Sequence, residues 1–297
     1  MLRMKKLIEC KSFKRNHGDR SLGSFLGVNE PRDLSPWHTI INSFRGEYMN
    51  NIVRILGIPF SKMTLNETTD LLEKHIQQKQ SELFHLITVN PEISITSQSD
   101  TEFKQIIDDA NLITPDGIGI VMASKIRRQP IKERVTGFDL LYTLLEKGNE
   151  HGWSFYFLGT DEDTNKKAVE EISNLYPNVS IVGRQHGFFA KEKESSIVSS
   201  INKLKPDILI VAMGAPRSDK WIYTYKSDLN QVKLVFGVGG SLDVIAGKVK
   251  PTPELWKKLN LEWLHRLITV PAAKGQKSRW LRQSVIPKFI YQAILKR

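Results

Sequence analysis

The stretch "DILIVAMGAP", residues 207–216, decides the fold. Residues 208–213 are apolar without a break. A run that short cannot cross a bilayer, which takes about 18 apolar residues. It also lacks the alternation of a strand with one wet face. A strand that is apolar on both sides is covered on both sides, and that is the mark of the interior of a parallel sheet. The glycine and proline that end the run mark a turn at the strand's carboxyl end.

Working outward, the same pattern recurs. "LFHLITV" (83–89), "LIT" (112–114), "WSFYFLG" (153–159), "VSIVG" (179–183) and "VKLVFGVGG" (232–240) read as strands. Between them lie helical patterns: "DTEFKQIIDDA", "IGIVMASKIRR", "GFDLLYTLLEKGNEHG", "DTNKKAVEEISNLYP", "EKESSIVSSINKLK" and "SDKWIYTYKSDL". Strand and helix in alternation imply an α/β, Rossmann-like, doubly wound architecture with a mainly parallel sheet. This block spans residues 51–245 and is the expected catalytic domain. Residues 1–50 hold no period of 2 or 3.6 and read as an irregular, disordered extension. Met49 stands just before organised sequence and is a candidate translation start.

After "AGKVKPTP" the alternation stops, and residues 246–297 read as a basic helical appendage. The net charge of the chain is +11, and this segment alone holds twelve Lys/Arg against two Glu. Such a tail seeks phosphate, whether in nucleic acid, anionic lipid or a diphosphate. Its aromatic and apolar residues, interleaved with cations, suit a helix lying at a membrane surface. They suit equally an amphipathic helix docked on the body. One cysteine, Cys10, excludes an internal disulfide framework and fits a reducing compartment. There is no apolar secretory signal, and a cytoplasmic site of action is expected.

In open parallel sheets, ligands bind beyond the carboxyl ends of the strands. The loops there carry Thr88 and Asn90, then Asp116 and Gly117 of "TPDGIGIV", then Gly159 before "TDED". They continue with Gly214, Pro216, Arg217 and Asp219 of "GAPRSD", and Gly239, Gly240 and Asp243 of "GGSLD". "ERVTGFD" adds Arg134, Thr136, Gly137 and Asp139. Glycines, carboxylates, small polar groups and an arginine on one rim suit a nucleotide or nucleotide-sugar. "PDG" reads either as a tight turn or as a strand-end base. "DED" (161–163) reads either as a metal-holding D-x-D or as helix capping. His85 and His186, without ligand spacing, read as structural.

Taken in order, "TVNPE", "ITPDGIGIV", "ERVTGFDLL", "FYFLGT", "YPNVSIVGRQHGFF", "ILIVAMGAP", "GVGGSLDVIAG" and "LEWLHRLI" resemble the WecG/TagA/CpsF glycosyltransferases over roughly residues 52–271. The resemblance implies inverting transfer of N-acetylmannosamine, its uronic acid or a related hexose from a UDP-sugar donor. The acceptor implied is a polyprenyl-diphosphate-linked sugar, in cell-surface polysaccharide synthesis. It implies Asp116 as base, Thr88 as a positioning group and Arg134 near the donor diphosphate. It implies a peripheral protein on the inner face of the plasma membrane, bound to an anionic surface, and a homo-oligomer. Arg266 matches the family's tail, and Arg279 and Arg282 replace its further arginines in charge only. The family's G-x-P-K-Q-E element is "GAPRSD" here, so the contacts at Arg217 and Asp219 differ from the pattern. No cofactor is expected, and no metal.

Two other classes compete. The basic aromatic tail suits a nucleic-acid-binding protein, which steep salt-dependent binding would reveal; the resemblance argues for no nucleic acid. A nicotinamide-dependent oxidoreductase would carry G-x-G-x-x-G after the first strand, and this chain does not.

Overall fold

The computed structural model describes residues 51–78, 82–250, 252–253, 256 and 285–295. The expectations for residues 1–50, and for Arg266, Arg279 and Arg282, lie outside the described residues.

A hairpin comes first: β1 (Ile52–Ile55) and β2 (Ile58–Ser61) pair antiparallel as a separate two-stranded sheet. Its two-residue turn places Leu56 at φ 52° and Gly57 at φ 82°, the left-handed pair that a tight hairpin turn needs. Six strands then build the main sheet: β3 (Phe84–Val89), β4 (Leu112–Pro115), β5 (Ser154–Gly159), β6 (Ser180–Gln185), β7 (Ile208–Ala212) and β8 (Leu234–Gly237). Their order is β4-β3-β8-β7-β5-β6, and every neighbouring pair is parallel. The chain leaves β5 toward one edge, at β6, and leaves β7 toward the other, at β8. The crevice between β5 and β7 is thus a topological switch point, where such sheets take ligands.

The helices are α1 (Leu65–Ile76), α2 (Pro91–Thr96), α3 (Thr101–Asp109), α4 (Ile118–Ile126), α5 (Gly137–His151), α6 (Glu162–Leu175), α7 (Glu194–Leu204), α8 (Arg217–Tyr225), α9 (Ser241–Ile245) and α10 (Val285–Leu295). Alternate strand residues serve opposite faces. Phe155, Phe157, Ile208 and Ile210 join α1, α5 and α6 in one core layer. Tyr156, Leu158, Leu209 and Val211 join α7 and α8 on the other side. Ile87, Val89 and Ile113, on that side too, meet the hairpin, α3 and α4. This is the doubly wound sheet that unbroken apolar strands require.

The tail helix α10 belongs to that last layer. Phe289 and Ala293, four residues apart on one face, are buried with Phe60, Phe103 and Ile120. The helix packs on α2 and α4, so for residues 285–295 the docked-helix arrangement is the one observed.

Candidate active site

Two groups of residues line the carboxyl end of the sheet. The first surrounds β3, β4 and β8. The Asp116 amide donates to the Val89 carbonyl at 2.9 Å, extending the β3–β4 ladder one step past the strands. Asp116 is half-buried there. Gly117 follows at φ 111° and starts α4, a backbone that an L side chain rarely adopts. The Val135 amide donates to Pro115 O at 2.9 Å, which brings Arg134 and Thr136 beside the same strand end. Gly137 opens α5 directly over β3 and β8: an added Cβ would lie 3.2 Å from Gly237 O and 3.4 Å from Thr88 Oγ1. Thr88, Asn90, Asp116, Gly117, Arg134, Thr136 and Gly137 are therefore brought together.

Several of these have local work. Asn90 caps α2, its Oδ1 accepting from the Ile93 amide at 2.9 Å. Thr136 caps α5, its hydroxyl accepting from the Asp139 amide at 3.1 Å and donating to Asp139 Oδ2 at 3.0 Å. By contrast, no side chain caps α4 or α8. Orphan amides at a helix start are the groups that bind anions.

The second group lies over β5, β6 and β7. Gly159 passes so close to β7 that an added Cβ would sit 2.4 Å from the Ala212 carbonyl carbon and oxygen. Thr160 next to it holds φ 48° and donates to Asp243 Oδ1 at 3.3 Å. Asp161 caps α6, accepting from the Thr164 amide at 2.9 Å. Lys248 reaches Asp161 at 2.5 Å and Asp243 at 3.8 Å. The Lys248 ammonium and then the Thr164 amide hold the Asp161 carboxyl far below the usual carboxylate range. Of the two readings of "DED", capping is the arrangement present. Among the described residues no group of three His, Cys, Asp or Glu side chains could hold a metal.

Gly214, Pro216 and Arg217 form the approach to α8 at the same rim. The Arg217 guanidinium donates to Gly187 O at 2.8 Å and lies 6.0 Å from the Phe189 ring centre. Gly239 and Gly240 are exposed at the end of β8. Asp219 sits below the rim: it is buried, and its Oδ1 lies 3.9 Å from Nε2 of wholly buried His85. Neither ring nitrogen of His85 is hydrogen-bonded. At that distance the Asp219 carboxylate stops outside hydrogen-bond range of the imidazole. Lys248 is the site residue that sequence reasoning passed over. Its "GKVK" surroundings carry no spacing signal, and only the fold folds it back onto Asp161.

The comparisons follow this geometry. Residues 53–297 match the model of the Glycosyl transferase WecG/TagA/CpsF family. A curated relative from Bacillus subtilis (strain 168), an N-acetylglucosaminyldiphosphoundecaprenol N-acetyl-beta-D-mannosaminyltransferase, is 35% identical over 236 residues, 79% of this chain and 88% of that protein. Proteins of the same name from Bacillus spizizenii and Staphylococcus aureus (strain MRSA252) are 33% and 30% identical, covering 71% and 81% of this chain and 78% and 91% of their own. Nothing in these comparisons supports the nucleic-acid reading. The chain belongs to the WecG/TagA/CpsF family and is a glycosyltransferase.

Proposed function

We propose that this enzyme transfers N-acetylmannosamine, or a close relative of it, from a UDP donor to a polyprenyl-diphosphate-linked sugar, with inversion, at the inner face of the plasma membrane. The named relatives are N-acetylmannosaminyltransferases acting on a diphosphoundecaprenol-linked acceptor, and the rim has the chemistry for such a reaction.

The observation that carries the reading is the junction of β4 and α4. Half-buried Asp116 stands at the end of β4, Thr88 and Gly137 lie across the adjacent strands, and α4 starts one residue later with no side-chain cap. In the proposed step the acceptor hydroxyl attacks the anomeric carbon. Its proton passes to the Asp116 carboxylate as the new bond forms. The bond to the diphosphate oxygen breaks on the opposite face, and UDP departs with the electron pair. Arg134 and the first amides of α4 face the growing charge, which preorganised donors stabilise best in a site shielded from water. The nucleoside end would lie toward Gly159 and Asp243. From β3 to β5 is three strand spacings, about 14 Å, room for a sugar at one end and a nucleoside at the other.

The proposal dispenses with a metal, because Arg134 and helix amides supply the positive field and Asp161 is engaged by Thr164 and Lys248. The test is a UDP-sugar screen with a lipid-diphosphate acceptor, read by mass spectrometry. Asp116→Asn should keep the fold and lose about 10²–10⁴-fold in kcat, the usual share of a positioned base. EDTA should leave the rate largely intact. A variant as fast as wild type removes Asp116 from the mechanism, and strict Mg²⁺ or Mn²⁺ dependence overturns the metal-free scheme.

A further inference from the structure

We propose that Asn165 is a positioning residue for the donor: it fixes two loops at the mouth of the crevice between β5 and β7, and through them the affinity for the nucleotide. What the loops hold rests on the reaction proposed above; how Asn165 holds them does not.

The buried residues of α6 are Thr164, Asn165, Ala168 and Ile172. Asn165 thus takes a place that packing alone would give to an apolar side chain, and it is wholly buried. A buried amide is costly unless it is hydrogen-bonded. The Asn165 Nδ2 donates to Gly159 O at 3.0 Å and to Gln185 O at 3.2 Å, and it lies 3.4 Å from Phe157 O. Three carbonyl oxygens around one end of the amide can only accept from its NH2 group, which fixes its orientation. The Oδ1 at the other end is buried and meets no donor among the described residues. Stability alone does not account for such a choice, because an unmet buried acceptor is destabilising.

Gly159 and Gln185 are the last residues of β5 and β6, so one side chain ties the ends of both strands. β6 is an edge strand with β5 as its sole neighbour in the sheet. The peptide joining Gly159 to Thr160 is held on both sides: its oxygen accepts from Asn165, and its N–H donates to Ala212 O at 2.8 Å. Gly159 has φ 133° and Thr160 φ 48°. A β-branched residue persists in the left-handed region only where its surroundings impose it. Turning this peptide over would relieve Thr160 and withdraw its hydroxyl from Asp243.

The second loop follows Gln185. The Gly187 amide donates to Thr160 O at 2.7 Å, and the Gly187 carbonyl accepts from Arg217 at 2.8 Å. A Cβ added at Gly187 would lie 3.0 Å from Gly159 Cα and 3.1 Å from Met213 Cγ. This loop therefore lies across the ends of β5 and β7, fastened to the first loop and to α8. Asn165 sits beneath both and acts through them.

The experiment compares Asn165→Ala, the isosteric Asn165→Asp and wild type as full chains. UDP binding is read by calorimetry, turnover by steady-state kinetics, and amide exchange by mass spectrometry. Both variants should bind UDP about tenfold more weakly, as expected when loops must be ordered on binding. KM for the donor should rise in step, while kcat and the acceptor KM stay within about twofold, the pattern of lost uniform binding. Exchange should quicken over residues 159–161 and 185–190 and stay unchanged in β3, β4 and β8. Ile172→Ala, on the same buried face of α6, is the control: it should lower Tm and leave UDP affinity intact. Unchanged exchange of the two loops in a folded variant overturns the proposal, and so does unchanged UDP affinity. Equal weakening of UDP binding by Ile172→Ala would make Asn165 merely structural and overturns it too. If wild type binds no UDP, the donor reading above falls, and donor affinity as the purpose of the loops with it, while their exchange still decides what Asn165 holds.

Discussion

Asp116 and Asp161 show how position in the fold assigns a carboxylate its work. Both follow a strand and both precede a helix. Asp161 turns onto the first amides of α6 and is neutralised by Lys248; α4 starts beyond Asp116 without a side-chain cap. For Asp161 a pH dependence follows. Its carboxyl is depressed in the folded state, so its contribution is present above the unfolded carboxyl value of about 3.9 and fades as pH falls below that toward the folded value. Asp161→Ala should cost about 1 kcal/mol at neutral pH, as loss of a cap does. The difference from wild type in denaturant unfolding should shrink below about pH 4. A gap that stays constant to pH 2 would mean that the carboxylate charge is not what caps α6. At Gly159 the limit is steric. Gly159→Ala would drive a methyl group to 2.4 Å from the β7 backbone. It should cost at least about 2 kcal/mol, given the added strain at positive φ; equal thermal stability would show that β5 and β7 can part there.

At the scale of elements, α10 is the informative case. Its periodicity is visible in "SVIPKFIYQAILK", but a period alone does not say whether the apolar face meets protein or lipid. In the fold Phe289 and Ala293 enter the core, while Tyr291 and Leu295 face outward. Phe289→Ala should cost about 3–5 kcal/mol, as for any fully buried aromatic, and wild-type stability in chemical unfolding would separate α10 from the body. One consequence concerns truncation. A chain cut at 246 loses core packing together with its basic residues, so charge substitutions test the tail more cleanly than deletion. The β1–β2 hairpin was not legible for a related reason. Its turn puts Leu56 at φ 52°, where asparagine or aspartate would have announced the turn. Tertiary packing on β4 and α4 holds a conformation that local propensity disfavours.

For the whole molecule, the asymmetry of charge is the property to test. The excess of cations is concentrated in residues 246–297, twelve Lys/Arg against two Glu, and no described helix is long and apolar enough to cross a membrane. Attachment through charge and shallow apolar contact is screened by salt. Turnover of a vesicle-held acceptor should fall several-fold between low and high ionic strength, while turnover of a water-soluble acceptor should change little. Equal salt sensitivity for both would place the cations at the reacting groups and not at the lipid surface.

The parallel doubly wound sheet was readable from residues 208–213 and their counterparts, because strands covered on both faces must be apolar at every position. The rim residues were readable as a set because such sheets bind ligands beyond their carboxyl ends. Strand order was not readable, since β8 enters between β3 and β7 through contacts distant in sequence. The partners of Asp219 and Asp161 were hidden for the same reason. His85 lies on β3 and Lys248 beyond α9, and neither spacing nor residue type announces that they meet. Composition and period report which surfaces must be covered, and only the closed chain determines what covers them.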